Sequence, residues 1–239
     1  MKKKVSILIP TRFDSRYTIE LAIRSIQKYT DYPYKIIIGD AGVDNETQEY
    51  LSTQQEITVV KCPDSQRPKQ FLAEIVDTPY FIFLHDDTQI LKQDWLIKRI
   101  KIMESNPYIG IVGPRGYNYV NGWKRLISLS PLKKRFFPLG LLVRKETQDA
   151  LGLFWGKIEG FDTGAIAYLQ FLRQKKWKFI NFEFKKDIKH WWSMTWIMRS
   201  EFNREYNPRL SSSFDYEAIK NIRNQKMLII KEILSENKF

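Results

Sequence analysis

Short β-branched runs alternate with amphipathic stretches over the first 113 residues of the chain. This alternation is typical of βαβ units on a mostly parallel sheet. The apolar runs predict strands at residues 5–10, 34–40, 56–62, 80–87 and 108–114. Apolar residues at helical spacing predict helices between these strands. They are expected around residues 19–29, 46–54, 69–76 and 94–104.

The pattern changes after residue 114. An aromatic and basic stretch comes first, and residues 137–146 then predict a strand that leads into a helix. A further helix is predicted at about 164–175 and a strand at 177–184, while spaced apolar residues after Pro208 predict an amphipathic C-terminal helix. We therefore expect an α/β protein with a Rossmann-like, mostly parallel sheet flanked by helices, followed by a helical C-terminal tail.

Polar residues directly follow several of the predicted strands, where open α/β sheets bind their ligands. The most informative segment is FIFLHDDTQI, an apolar strand that ends in the adjacent carboxylates of Asp86 and Asp87. A hard divalent ion such as Mg²⁺ or Mn²⁺ takes oxygen ligands and can bridge the phosphates of a substrate. A solvated turn, in which Asp is common, explains the same segment without a ligand.

The net charge of the chain limits the kind of partner it is expected to bind. The 239 residues carry 39 Lys and Arg against 27 Asp and Glu, a net charge of +12, which favours an anionic partner.

The single cysteine, Cys62, excludes a disulfide framework and a multi-cysteine zinc site, and we expect it to be buried. No apolar run approaches the ~20 residues that span a bilayer. We therefore expect a soluble, cytoplasmic protein, and peripheral contact with the inner membrane face stays open as an alternative.

Basic residues are concentrated in the segment 115–145. No acidic residue occurs between Glu104 and Glu146, whereas this segment holds eight Lys and Arg interleaved with aromatic residues. Such a composition suits anionic lipid headgroups. It equally suits a nucleic-acid groove with stacking aromatics, and a solvated basic loop is the simplest alternative.

The N-terminal half resembles the family 2 glycosyltransferases of the GT-A fold. Three segments carry the resemblance: VSILIPTRFDSR as opening strand and nucleotide loop, IIIGDAG as a strand ending in an acid, and RPKQFLAEIVDTPYFIFLHDD as the helix and strand before a DxD motif. The resemblance implies that this motif falls on His85, Asp86 and Asp87. Asp87 then matches the metal-holding aspartate, and His85 stands where the first aspartate usually is. The implied cofactor is Mn²⁺ or Mg²⁺.

The same resemblance implies roles around a nucleotide-diphosphate sugar donor. Thr11, Arg12 and Asp14 match the loop that approaches the nucleobase and ribose, and Asp40 matches a residue that often accepts a hydrogen bond from uracil. A strand-end aspartate such as Asp40 is equally a turn former. The other residues expected to face the donor are Arg67, Lys69, His85 and Asp86.

Past the midpoint, the stretch from LLVRKE to RQKKWKFI resembles the acceptor side of the family, in which an acid precedes a helix. Its usual Glu-Asp pair is absent here. Asp162 is the preferred candidate for the catalytic base, and Glu159 is the next one. Asp162 is also placed to cap a helix that starts at Thr163, which is its structural alternative.

The segment KHWWSMTW carries one of the only two histidines, His190. The resemblance implies that His190 completes the metal site or contacts the diphosphate, whereas a packed core histidine is the alternative. The resemblance to family 2 glycosyltransferases thus implies a metal-dependent inverting enzyme. It would transfer a sugar from a nucleotide-diphosphate donor, expected to be UDP-linked, to a hydroxyl of a glycan or lipid-linked acceptor.

We expect residues 1–207 to form the GT-A domain, with a nucleotide-binding half at 1–114, an acceptor-side half at 115–207, and a C-terminal amphipathic helix within 208–239. A basic nucleic-acid-binding module is the alternative function. It accounts for the charge but not for the acids after the fourth strand, so nucleic acid is not the expected partner. A sugar nucleotidyltransferase is disfavoured because PTRFDSR lacks a glycine-rich phosphate loop.

Overall fold

A computed structural model describes most of the chain. The described residues are 4–13, 15–63, 68–117, 134–136, 139–152, 171, 173–182, 186–191 and 216–238. The strands are β1 (Val5–Phe13), β2 (Tyr34–Val43), β3 (Ile57–Lys61), β4 (Tyr80–Phe83), β5 (Thr88–Ile90), β6 (Ile109–Gly113), β7 (Arg115–Tyr117), β8 (Lys134–Phe136), β9 (Leu141–Arg144), β10 (Lys178–Asn181) and β11 (Ile188–His190). The helices are α1 (Arg16–Tyr29), α2 (Asn45–Ser52), α3 (Pro68–Glu74), α4 (Trp95–Glu104), α5 (Lys145–Leu151) and α6 (Tyr216–Ser235).

A seven-stranded sheet forms the centre of the fold, in the order β10-β6-β9-β4-β1-β2-β3. Strand β9 runs antiparallel to both of its neighbours, and the other pairings are parallel. The predicted α/β fold with a mostly parallel, Rossmann-like sheet is therefore confirmed. The central strands read as continuous apolar runs because both faces of a parallel sheet are covered by helices.

Two hydrophobic clusters cover the two faces of the sheet. Alternate residues of β1 point to opposite faces, so Ile7 and Ile9 pack with α1 and α4, and Leu8 packs with α3. Trp95 and Ile100 of α4 are fully buried in the first cluster. Cys62 is buried as expected, directly after β3.

The predicted strand at 80–87 is shorter than expected, because β4 ends at Phe83. The chain then turns and forms β5, which pairs antiparallel with β11 in a separate two-stranded ribbon. Leu84 is still held against the sheet, since its N–H donates to the carbonyl of Leu8 over 3.0 Å. The turn between β4 and β5 thus lies at the carboxyl end of the sheet.

The predicted C-terminal helix is confirmed as α6. Its Ile230 and Leu234 pack with Leu21 of α1 and with Trp191, which directly follows β11. Among the described residues, no helix combines the length and the apolar character needed to cross a membrane. The predicted division of the chain at residues 114 and 207 stays a prediction.

Candidate metal and nucleotide site

The carboxyl ends of β1, β2 and β4 meet at one edge of the sheet. Thr11 of β1 lies opposite Asp40 of β2 in the strand register, and the turn that contains Asp86 follows the neighbouring strand β4. The structure thus brings together candidates that are up to 75 residues apart in the chain. This edge is where open α/β sheets bind ligands.

Asp86 is buried and holds the loop after β1 against this turn. Its Oδ2 accepts a hydrogen bond from the Thr11 hydroxyl over 3.2 Å and one from the Ser15 hydroxyl over 3.0 Å. Both hydroxyl-bearing residues are themselves buried. Sequence reasoning missed Ser15, although its position just before α1 is a common place for a capping serine. Asp86 therefore fixes the position of the segment that includes Arg12.

Asp87 points to a different set of partners. Its Oδ1 lies 2.8 Å from His190 Nε2, and His190 Nε2 lies 3.0 Å from His85 Nδ1. One ligand atom from each of the three residues lies within 4.8 Å of the others. In the described part of the chain, no other group of three or more His, Cys, Asp or Glu residues converges in this way. The cluster is a candidate metal centre.

Backbone pairing places His190 in this cluster. His190 lies opposite Thr88 in the β5–β11 ribbon, and the Thr88 hydroxyl accepts a hydrogen bond from the backbone N–H of His85 over 3.2 Å. One residue further, the N–H of Trp191 donates to the carbonyl of Asp87 over 3.0 Å. The ribbon thus joins segments that are about 100 residues apart in the sequence.

Burial sets the protonation state of His85. The pKa of its imidazole is lowered well below the ordinary value, first by burial and then by the positive charge of Lys69 and the neighbouring His190. A neutral imidazole has a lone pair available for a metal ion. The positive charge of Lys69, in the first turn of α3, thus acts on this imidazole.

Asp40 of β2 and Arg12 of β1 lie near the carboxyl ends of their strands. Asp40 Oδ1 accepts hydrogen bonds from the N–H groups of Gly42 and Val43 over 2.9 and 3.1 Å, which is the turn-forming role considered above. The pKa of the nearby Cys62 thiol is raised to about 11 by burial and by the Asp40 carboxylate, while Arg12 opposes this shift. Arg12 therefore supplies positive charge close to Cys62, whose backbone N–H donates to the carbonyl of Asp40.

A buried ion pair anchors the strand that carries His190. Arg99 of α4 is fully buried, and its Nη1 lies 3.6 Å from Oδ2 of Asp187, the residue before β11. Burial lowers the pKa of the Arg99 guanidinium to about 10, against the opposing effect of Asp187. No sequence pattern predicts this pair, because an Arg in an amphipathic helix normally faces solvent.

We expect Arg99→Met to lower the free energy of unfolding by about 3 kcal/mol, because it leaves the Asp187 carboxylate buried without its partner. Urea denaturation measures this loss. The matched control is Lys98→Met, since Lys98 Nζ is 4.0 Å from Asp187 and partly exposed. Its effect should be small, and equal losses in the two variants would contradict the anchoring role of Arg99.

The sequence model of glycosyl transferase family 2 matches residues 6–169, which is more than half of the chain. The chain belongs to glycosyl transferase family 2. This membership confirms the family resemblance found in the sequence. No curated protein matches its sequence.

Solved structures of glycosyltransferases share the fold of this family 2 member. The mannosyltransferase PcManGT from Pyrobaculum calidifontis, in complex with GDP-Man and Mn²⁺, superposes with a TM-score of 0.53 at 15% identity, covering 77% of this chain and 55% of that one. S. aureus TarS gives 0.54 at 12% identity, with coverages of 94% and 43%. The chain thus spans about half the length of these two proteins.

A shorter form of the staphylococcal protein, S. aureus TarS 1-349 in complex with UDP-GlcNAc, gives a TM-score of 0.53 at 12% identity. The overlap covers 94% of this chain and 71% of that one. Identities this low show a common fold. They support the GT-A-like architecture of the chain.

The donor atoms of the cluster fit a divalent ion. Asp87 Oδ1 is buried and has no hydrogen-bond partner among the described residues, although His190 Nε2 lies close to it. A buried carboxylate oxygen without such a bond is costly unless a cation compensates it. Imidazole nitrogen and carboxylate oxygen are both ligands of Mn²⁺-type ions.

Several predicted site residues lie outside the described part of the structure. They are Asp14, Arg67, Glu159 and Asp162. Most of the basic segment 115–145 is also outside it, apart from the short backbone strands β7 and β8 and residues 139–145. The predicted helix at 164–175 is described only at residue 171 and from 173 onwards.

Proposed function

We propose that this glycosyltransferase transfers a sugar from a UDP-linked donor to a hydroxyl of a glycan or lipid-linked acceptor, with inversion and with the help of a divalent metal ion. The observation that carries the proposal is the convergence of His85, Asp87 and His190 beside the carboxyl ends of β1 and β2. A nucleotide diphosphate at this edge would lie near the positive charge of Arg12 and Lys69.

The donor half of the site has two parts in this proposal. The loop after β1 and the end of β2 face the nucleobase and ribose, and the turn after β4 together with the start of α3 faces the diphosphate. The burial of Asp86 and Thr11 supports a role in shaping the loop. The residues assigned to donor binding are Thr11, Arg12, Asp14, Asp40, Arg67, Lys69, His85 and Asp86.

Asp87 and His190 would hold Mn²⁺ or Mg²⁺. When bound, such an ion supplies positive charge to the departing diphosphate. The protein's own contribution is to orient these side chains through the β5–β11 ribbon and to keep them out of bulk water. The side chains of His190 and Asp87 are only 8% and 4% exposed.

On the acceptor side, Asp162 would remove the proton from the acceptor hydroxyl as its oxygen attacks the anomeric carbon. The bond from that carbon to the diphosphate breaks on the opposite face, so the anomeric configuration inverts. Glu159 is the alternative base. The acid that precedes the acceptor-side helix in the family resemblance supports this assignment.

A thermal-shift experiment tests the proposed function. UDP and UDP-sugars with Mn²⁺ should raise the melting temperature, because a ligand at 100 times its Kd stabilises the folded state by about 2.7 kcal/mol. The same nucleotides with a chelator should have a much smaller effect, and GDP and GDP-sugars test the choice of base. No stabilisation by any nucleotide diphosphate would contradict the proposal.

We further propose that the basic segment 115–145 contacts an anionic membrane surface at the inner face of the cytoplasmic membrane, near a lipid-linked acceptor. Each Lys or Arg near such a surface contributes about 1 kcal/mol. The eight cations of this segment, without an acidic residue among them, support the proposal.

Anionic vesicles should therefore co-sediment the protein at low salt and release it near 0.5 M salt, where the screening length is about 4 Å. Reversal of the charges of Lys133, Lys134 and Arg135 should weaken this binding more than reversal of Lys175, Lys176 and Lys178. These two triple variants change the net charge equally. Tight binding of single-stranded nucleic acid without vesicle binding would instead favour the alternative function.

A further inference from the structure

The metal cluster contains both histidines of the chain, and one of them stands at an unexpected position. His85 occupies the place where the family resemblance puts the first aspartate of the DxD motif. Its Nδ1 lies 3.0 Å from His190 Nε2, and its ring belongs to the same cluster as Asp87. The local donor set therefore contains two nitrogen atoms and one carboxylate oxygen.

We infer that His85 is a third metal ligand and that the centre selects first-row transition ions such as Mn²⁺ over Mg²⁺. The inference rests on the proposed function in one respect only, the presence of a divalent ion beside the donor phosphates. The proposed function allows either Mn²⁺ or Mg²⁺, whereas this inference predicts that Mn²⁺ binds more tightly. It also makes His85 a ligand of the ion.

The spacing of the ligand atoms supports this inference. Two neighbouring ligands of an octahedral ion at about 2.1 Å are about 3.0 Å apart. The structure gives 3.0 Å between His85 Nδ1 and His190 Nε2, and 2.8 Å between His190 Nε2 and Asp87 Oδ1. Two of the three separations thus match those of neighbouring ligands of one ion, and all three ligand atoms lie within 4.8 Å of one another.

The chemistry of the donors determines the selectivity. Mg²⁺ is small, prefers oxygen ligands and gives up water reluctantly. Imidazole is better suited to the transition ions, and two histidines with one carboxylate form a common site for such ions. A site with two aspartates would provide two charged oxygen ligands for Mg²⁺. Replacing one of them by His85 removes a negative charge and adds a nitrogen.

A hydrogen-bonded network without any ion is the rival explanation. His190 Nε2 lies 2.8 Å from Asp87 Oδ1 and 3.0 Å from His85 Nδ1. Because Nε2 carries at most one proton, it cannot donate to both atoms at once, and Asp87 Oδ1 has no hydrogen bond among the described residues. An ion bound by all three residues would contact that oxygen.

Calorimetry on the full chain, without nucleotide and without a histidine tag, measures the selectivity. Mn²⁺ should bind the native protein at least about tenfold more tightly than Mg²⁺. His85→Asp should reduce this ratio by about tenfold, because it restores a second carboxylate that suits Mg²⁺. Equal affinities in the native protein, or an unchanged ratio in His85→Asp, would overturn the inference.

Electron spin-echo spectroscopy of bound Mn²⁺ identifies the ligands directly. Because the chain has only two histidines, selective labelling of histidine with ¹⁵N assigns every imidazole coupling to His85 or His190. The native protein should show two coupled imidazoles, and His85→Ala should show one. The labelled native protein gives the count even if a variant fails to fold, and a count of one or none overturns the inference.

The two proposals fail in different ways. Nucleotide binding that depends on metal, together with a single coupled imidazole, would overturn the role of His85 and leave the proposed function intact. Two coupled imidazoles without stabilisation by any nucleotide diphosphate would support the metal centre and contradict the donor. Absence of metal binding under all conditions would overturn the inference in favour of the hydrogen-bonded network.

Discussion

Asp87→Ala should abolish the metal dependence of nucleotide-diphosphate binding. The carboxylate is the only oxygen ligand in the cluster of His85, Asp87 and His190, so its loss leaves two imidazoles to hold a divalent ion. Changes outside the ligand shell already cost 10- to 100-fold in metal affinity, and we expect a loss beyond about 100-fold here. Calorimetry with Mn²⁺ and with a chelator should then give the same affinity for UDP.

Asp86→Ala is the matched control, since it makes the same chemical change one residue away. Asp86 Oδ2 accepts hydrogen bonds from the buried hydroxyls of Thr11 and Ser15. Leaving these hydroxyls without their acceptor should cost about 1–3 kcal/mol of folding stability. A metal dependence should nevertheless persist, because Asp87 remains. Asp87 would lose its proposed role if its variant kept the metal dependence and the Asp86 variant lost it.

The sequence predicted the sheet well because its strands are buried on both faces. Residues 5–10 and 34–40 read as apolar runs and form the central strands β1 and β2. Helix α4 at Trp95–Glu104 lies within one residue of its predicted bounds. Such runs and periodicities are local properties of the chain, so they can be recognised without knowledge of the fold.

The inner arrangement of the site was harder to predict because it depends on contacts between distant segments. The antiparallel pairing of β5 with β11 brings His190 to Asp87, and no local pattern marks a three-residue strand such as Thr88–Ile90. The family resemblance assigned Asp87 to the metal and Asp86 to the donor, but no local pattern predicted that Asp86 contacts the hydroxyls of Thr11 and Ser15. Successive side chains point in different directions, so Asp86 meets Thr11 while Asp87 meets His190.

The assignment of the catalytic base on the acceptor side rests on the sequence alone. The two roles considered for Asp162, helix cap and catalytic base, make different physical demands on its side chain. A helix cap needs only a side-chain oxygen that accepts a backbone N–H, and Asn performs this role about as well as Asp. A catalytic base needs an oxygen that takes a proton from the acceptor hydroxyl, which an amide cannot do at neutral pH. A single substitution therefore separates the two roles.

We expect Asp162→Asn to reduce sugar transfer by roughly 10²–10⁴-fold, which is the usual contribution of a general base. Its melting temperature and its affinity for the nucleotide with Mn²⁺ should stay near those of the native protein, since Asn keeps the size and the capping ability of Asp. Turnover, melting temperature and donor binding are measured on the same preparation. Near-normal transfer would assign the base to Glu159 instead, and Glu159→Gln should then show the loss of transfer with donor binding retained.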